Sequence, residues 1–193
     1  LFHRPIHFPK DKLRYFSMMD KDKFDNLTKK YLSDLLRELK LVNCDIVIDM
    51  LFSATNPNMG REFFDDVKTI VVTRDPRCMY LDIRSWDGYC TFLPCYDVHQ
   101  FIEYYKLLME NQTYCDDVLY VNYDEFIYNY PLISSKIIDY LGYTKRPKYE
   151  FKYFNPNISV ANTFPRRKGA YQKEISHIEK ELPQYLYDFP KFE

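Results

Sequence analysis

Glycine is scarce, at four in 193 residues, while 46% of the chain is apolar and 18% aromatic. That balance excludes a disordered or low-complexity chain and favours a well-packed one. Long apolar runs are missing too: no stretch approaches the ~20 residues needed to cross a bilayer. Leu1-Phe2-His3-Arg4 has no signal-peptide character. Charge of one sign is not in excess. A net charge of −1 gives no global reason to expect nucleic acid or an anionic membrane as partner, so any anion site must be local. Five cysteines (Cys44, Cys78, Cys90, Cys95, Cys115) form no CxxC, and their number is odd. They read as reduced thiols in a reducing, cytoplasmic compartment rather than a disulfide frame. No second Cys or His pair accompanies Cys90 and Cys95, so no metal is expected. The chain opens on Leu1 instead of Met, so trimming at the front is expected.

What is present is periodic. Length points to one domain over residues 1–193, large enough for a real core. Residues 1–20 are basic and interrupted by Pro5 and Pro9. From Lys23 to Leu41, Phe24, Leu27, Tyr31, Leu32, Leu35, Leu36 and Leu39 recur at helical steps and predict an amphipathic helix. Asp45-Ile-Val-Ile-Asp49 predicts a short buried strand, followed by turn residues Ser53, Asn56-Pro57-Asn58 and Gly60. Lys68-Thr-Ile-Val-Val-Thr-Arg74 predicts a second strand, and Asp75-Pro76 turns it into a helix running to about Ser85. Asp97-Val-His-Gln100 is a plausible capping box for a helix through Asn111. Val118 to Tyr123 predicts a third strand. Tyr130-Pro131 opens a helix that Gly142 closes, and a last helix runs from about Glu174 to near Pro183. Helix and strand in alternation predict an α/β fold with a central parallel sheet flanked by helices.

The stretch with most chemical content is Arg74-Asp-Pro-Arg77. An arginine at the carboxyl end of a parallel strand, facing a helix start, sits where open α/β sheets bind ligands, and its fork of donors suits a phosphate. The plainer reading is that Arg74 pairs with Asp75 or another carboxylate at the strand end. Near the C-terminus Arg167-Lys168-Gly169 offers two cations and a glycine whose backbone can approach an anion closely; solvated surface is the alternative. Tyr123 could line a base pocket or simply pack at the strand end.

Three blocks resemble one family in sequence, order and spacing. They are the strand with Arg-Asp-Pro-Arg, Val118-Leu-Tyr-Val-Asn-Tyr-Asp-Glu-Phe126 with the helix ending Tyr140-Leu-Gly142, and Arg167-Lys168-Gly169. Over roughly residues 41 to 189 the chain resembles sulfotransferases that use 3′-phosphoadenosine 5′-phosphosulfate, closest to bacterial carbohydrate-type members. The resemblance implies a P-loop nucleotide-kinase-like three-layer fold, that donor as co-substrate, and no metal. It also implies a hydroxyl acceptor, a saccharide. Arg74 then matches the arginine on the donor's 3′-phosphate, Tyr123 the tyrosine beside adenine, and Arg167, Lys168 and Gly169 the segment closing over the same phosphate. Where the family places a phosphate-contacting serine, this chain has Asp82. Either Asp82 turns away and Ser85, nearly one helical turn on, supplies the hydroxyl, or that contact is weakened; the first is the expectation adopted here. The family's Gly-Asp-Trp continuation is replaced by Ala170-Tyr171-Gln172.

The family's glycine- and Ser/Thr-rich phosphosulfate loop has no counterpart in residues 1–67, where Gly60 is the only glycine. The loop either precedes Leu1 or is lost, and its loss would make the chain non-catalytic. Transfer also needs a base for the acceptor hydroxyl. Asp49, ending its predicted strand at the same sheet edge as Arg74, is the candidate; the histidine base of small-phenol members would fall near Phe52 and has no counterpart. The resulting expectation is a sulfotransferase. Its alternatives are a non-catalytic nucleotide- or partner-binding relative and a P-loop phosphotransferase, and the oligomeric state stays open.

Overall fold

The computed structural model describes residues 20–41, 44–50, 53–85, 94, 97–144, 151–167 and 169–191. They fall into two compact units, residues 1–49 with 60–65, and residues 50–59 with 66–193.

The first unit carries α1, Lys21–Glu38. Asp20 caps it, its carboxylate accepting from the Asp22 and Lys23 N–H groups. Phe24 meets Phe63 of the 3-10 turn Arg61–Phe63 edge to face at 6.5 Å. No α1 residue is buried, and among the described residues the short turn covers only a part of its apolar stripe. The segment Asp45–Asp49 is not a strand: it is irregular and exposed, with Val47 95% accessible. Its apolar centre fits a strand pattern, but a strand exists only when a neighbour completes its hydrogen bonds, and none pairs here among the described residues.

The second unit holds the parallel sheet, which has two strands among the described residues: β1 (Thr69–Thr73) and β2 (Val118–Asn122). Thr69 lies opposite Val118 and Thr73 opposite Asn122. Val71 is buried while Val72 is 59% exposed, so β1 is covered on one face and is not the fully buried strand its apolar run suggests. The fold is thus mixed α/β and mostly helical. The Tyr140 hydroxyl fixes the start of the sheet. It accepts from the Thr69 N–H at 3.0 Å and lies 2.9 Å from the Thr69 carbonyl and 2.8 Å from the Asp117 carbonyl, either of which can take its single proton.

Between the strands run α2 (Pro76–Ser85) and α3 (Val98–Glu110). Asp97 caps α3 through the His99 N–H at 2.8 Å. After β2 the chain turns at once into α4 (Tyr123–Tyr128), because Asn122 accepts from the Glu125 N–H at 2.9 Å. Tyr123 is therefore the first residue of a helix and not the last of a strand. Next, α5 (Tyr130–Leu141) ends on Gly142, whose φ of 78° suits glycine at a helix C-terminus. Short α6 (Pro156–Ser159) and α7 (Phe164–Arg167) lead to α8 (Gln172–Glu181). The core lies where α2, α3 and α8 meet: Tyr80, Leu81 and Ile83, then Phe101, Ile102 and Tyr105, then Ile175, Ile178 and Leu182.

Among the described residues Cys44, Cys78 and Cys115 are free thiols; Cys90 and Cys95 lie outside them. No helix among those residues is long and apolar enough to cross a membrane.

Candidate functional site

Both strands of the parallel pair end at one edge, where Thr73-Arg74 and Asn122-Tyr123 leave the sheet. Asp75 and Pro76 then start α2, and the Arg-Asp-Pro-Arg sequence divides its labour. Asp75 is fully buried. It accepts from the Arg77 N–H at 2.7 Å, capping the helix, and from the Tyr187 N–H at 2.8 Å. Arg77 folds back on it: Nε donates at 3.0 Å to Oδ1 and Nη2 at 2.7 Å to Oδ2. Arg77 also reaches Glu179 Oε1 at 3.0 Å and the Tyr187 carbonyl at 2.9 Å, with Phe164 and Phe189 against its guanidinium at 4.4 and 5.4 Å. The second arginine of the motif is thus a structural tie between α2, α8 and the C-terminal segment. Sequence reasoning missed this role; the signal was there in an Asp-Pro pair at a helix start.

Arg74 faces elsewhere. Its Nη1 donates to Asp82 Oδ2 and its Nη2 to the Asn162 carbonyl at 3.1 Å. Its guanidinium sits 5.2 Å from the centre of the Tyr123 ring. Arg167 comes from α7 and donates through Nη1 to Asp82 Oδ1 and through Nη2 to the Leu81 carbonyl at 2.6 Å. Arg74, Asp82, Tyr123 and Arg167 therefore lie together.

The expected placement of Asp82 and Ser85 does not hold. Asp82 does not turn away; one carboxylate binds both arginines, because it lies on the side of α2 that faces them. Ser85 is exposed and its hydroxyl donates to the Asp82 carbonyl at 2.7 Å, so it serves its own helix end. Gly169 is exposed at φ 117°, a conformation that favours glycine. Lys168 lies outside the described residues. Asp49 belongs to the first unit, Arg74 to the second.

No family model, curated protein or solved structure matches this chain. What the site can do rests on its own chemistry.

Beside Arg74, at the ends of both strands, lies an open cavity of about 260 Å³ bordered by Thr73, Tyr105, Met109, Asn122 and Gln184 to Tyr187. Among the described residues, Arg74 is the one charged side chain on its wall. Tyr105 donates its hydroxyl to the Arg74 carbonyl at 3.0 Å, which fixes the backbone at the strand end. Burial pushes the Tyr105 hydroxyl pKa up, with Asp75 acting in the same direction, so Tyr105 stays a neutral donor. No group of three or more His, Cys, Asp or Glu is placed to hold a metal among the described residues.

Asp124, fully buried in α4, accepts from the Asp75 N–H at 2.8 Å and so couples the two strand ends. Burial pushes its carboxyl above the ordinary range; the Asp75 N–H, Cys78 and the Arg74 charge oppose that shift. A carboxyl whose pKa is raised by folding binds protons better in the native state. Its contribution is largest in acid and is lost as pH rises from the unfolded value through the folded one. Asp124→Asn keeps an oxygen for the Asp75 N–H but does not titrate. We expect the variant's stability to rise relative to wild type as pH increases across that window, in urea denaturation at several pH values. A difference that does not change with pH would remove Asp124 from the account.

Proposed function

We propose that this chain is a sulfotransferase domain whose Arg74, Arg167 and Tyr123 hold the 3′-phosphoadenosine end of 3′-phosphoadenosine 5′-phosphosulfate. The observation that carries the reading is the meeting of Arg74 with Arg167 at the carboxyl end of β1, with Tyr123 against Arg74. Two guanidinium forks with a carboxyl-sized seat between them suit a phosphate monoester, and an aromatic ring alongside suits a nucleoside. The reaction moves a sulfuryl group. The acceptor oxygen forms a bond to sulfur as the bond to the bridging phosphate oxygen breaks, and a base takes the hydroxyl proton. The products are a sulfate ester, on a saccharide acceptor, and adenosine 3′,5′-bisphosphate. Asp49 loses its ground as that base, because Asp45–Asp49 forms no strand ending at the sheet edge.

Calorimetry with adenosine 3′,5′-bisphosphate tests the reading. Arg74→Ala should weaken binding by about 1.5–3 kcal/mol, the scale of a hydrogen bond to a charged group. Unchanged affinity in a folded variant would take Arg74 out of the site.

One observation favours a second reading, a non-catalytic relative that binds without turnover: Asp82 places a negative charge between the two arginines. Product formation from labelled donor, with a panel of saccharides, separates the two.

A further inference from the structure

Resting on the anion seat just proposed, we infer that Asp82 is a tethered competitor for that seat, so that it admits dianionic phosphomonoesters and turns away monoanions. Its carboxylate is shared, one oxygen to Arg74 and the other to Arg167. Among the described residues, the two arginines and Asp82 together carry one net positive charge.

Each arginine has a second anchor that does not involve Asp82: the Asn162 carbonyl for Arg74 and the Leu81 carbonyl for Arg167. Tyr123 adds a third hold on Arg74. The forks therefore keep their positions when the carboxylate leaves. Leaving is local, since the Asp82 side chain is 28% exposed and lies in the last turn of α2, where rotation about its own bonds carries it into water. A carboxylate brings two oxygens and one charge, and both oxygens are used; a phosphomonoester brings three oxygens and two charges.

Tethering sets the discrimination. A carboxylate on the same chain acts at an effective concentration on the order of millimolar or more. A free monoanion makes no stronger contact and cannot compete at lower concentration. A dianion gains on charge, because two negative charges face the two guanidinium forks.

The test titrates inorganic phosphate, at mildly alkaline pH where it is dianionic, and acetate into wild type, Asp82→Ser and Asp82→Asn. We expect phosphate to bind Asp82→Ser about tenfold more tightly, the direction that removal of a competing charge dictates. Acetate should bind measurably only to the variants. A folded Asp82→Ser with equal or weaker phosphate affinity overturns the inference, as does phosphate binding to no form. Should the variants not fold, NMR of the labelled aspartate carboxyls in wild type decides: the Asp82 signal moves as phosphate saturates, and a stationary signal overturns the inference. Adenosine 3′,5′-bisphosphate provides the separating arm. If Asp82→Ser gains phosphate affinity yet shows no preference for the bisphosphate, the competitor stands and the nucleotide reading fails.

Discussion

Replacing Arg77 with alanine is expected to cost about 3–5 kcal/mol of folding stability, the scale for breaking a buried ion pair from one side. Asp75 is fully buried, and the Arg77 side chain is only 10% exposed. Without the guanidinium, Asp75 keeps two backbone donors, the N–H groups of Arg77 and Tyr187, but no cation. Glu179 and the Tyr187 carbonyl lose a donor at the same moment. The cost is therefore mainly that of a stranded charge and not of lost attraction. That distinction has its own experiment. Asp75→Asn combined with Arg77→Met removes both charges and keeps most of the volume, so the double variant should be more stable than Arg77→Ala. Arg77→Lys should not rescue, because an ammonium cannot reproduce the fork that spans both oxygens of Asp75. Urea denaturation of the four proteins reads all of this. A loss below about 1 kcal/mol in Arg77→Ala would place the pair on the scale of a surface contact.

The same motif marks the limit of what the sequence disclosed. Two arginines three residues apart, Arg74 and Arg77, have different partners: Asp82 and the Asn162 carbonyl for one, Asp75 and Glu179 for the other. The plainer reading, Arg74 paired with Asp75 or another carboxylate, matches its ion pair with Asp82, while the partner of Asp75 is Arg77. The reason is local geometry: Pro76 starts α2, so Arg77 lies in its first turn, beside its own cap, while Arg74 precedes the helix and reaches Asp82 farther along it. Other local signals were readable to within a residue or two. Asp97 caps α3 and Gly142 closes α5 because capping depends on neighbours in sequence. By contrast, Asp45–Asp49 has a strand's composition without a strand's partner. Asp82 was expected to turn away because its second cation, Arg167, is 85 residues distant and only the packing of α7 on α2 brings it near. Tyr123 was misplaced by one residue, since Asn122 can extend a strand or cap a helix, and here it caps.

Phe101→Ala should destabilise the second unit by about 3–5 kcal/mol, the cost of emptying an aromatic site in a core. Phe101 is fully buried, with the Tyr80 ring edge-on at 5.2 Å and Tyr105 at 6.1 Å along the same helix. It lies in the cluster where α2, α3 and α8 converge, so its loss is felt by all three. The consequence reaches the site through one bond. Tyr105, one turn on from Phe101, donates to the Arg74 carbonyl at 3.0 Å. Tyr105→Phe removes that hydrogen bond and little else, so it should cost about 0.5–1.5 kcal/mol. If packing of α3 positions Arg74, the folded fraction of Phe101→Ala should bind phosphate more weakly than Tyr105→Phe does. If the hydrogen bond alone matters, the folded fraction of Phe101→Ala, which keeps it, should bind like wild type and Tyr105→Phe more weakly. Equal stability of Phe101→Ala and wild type would show that α3 is not part of the core, and the support of the strand end would have to come from β2 and α4 alone.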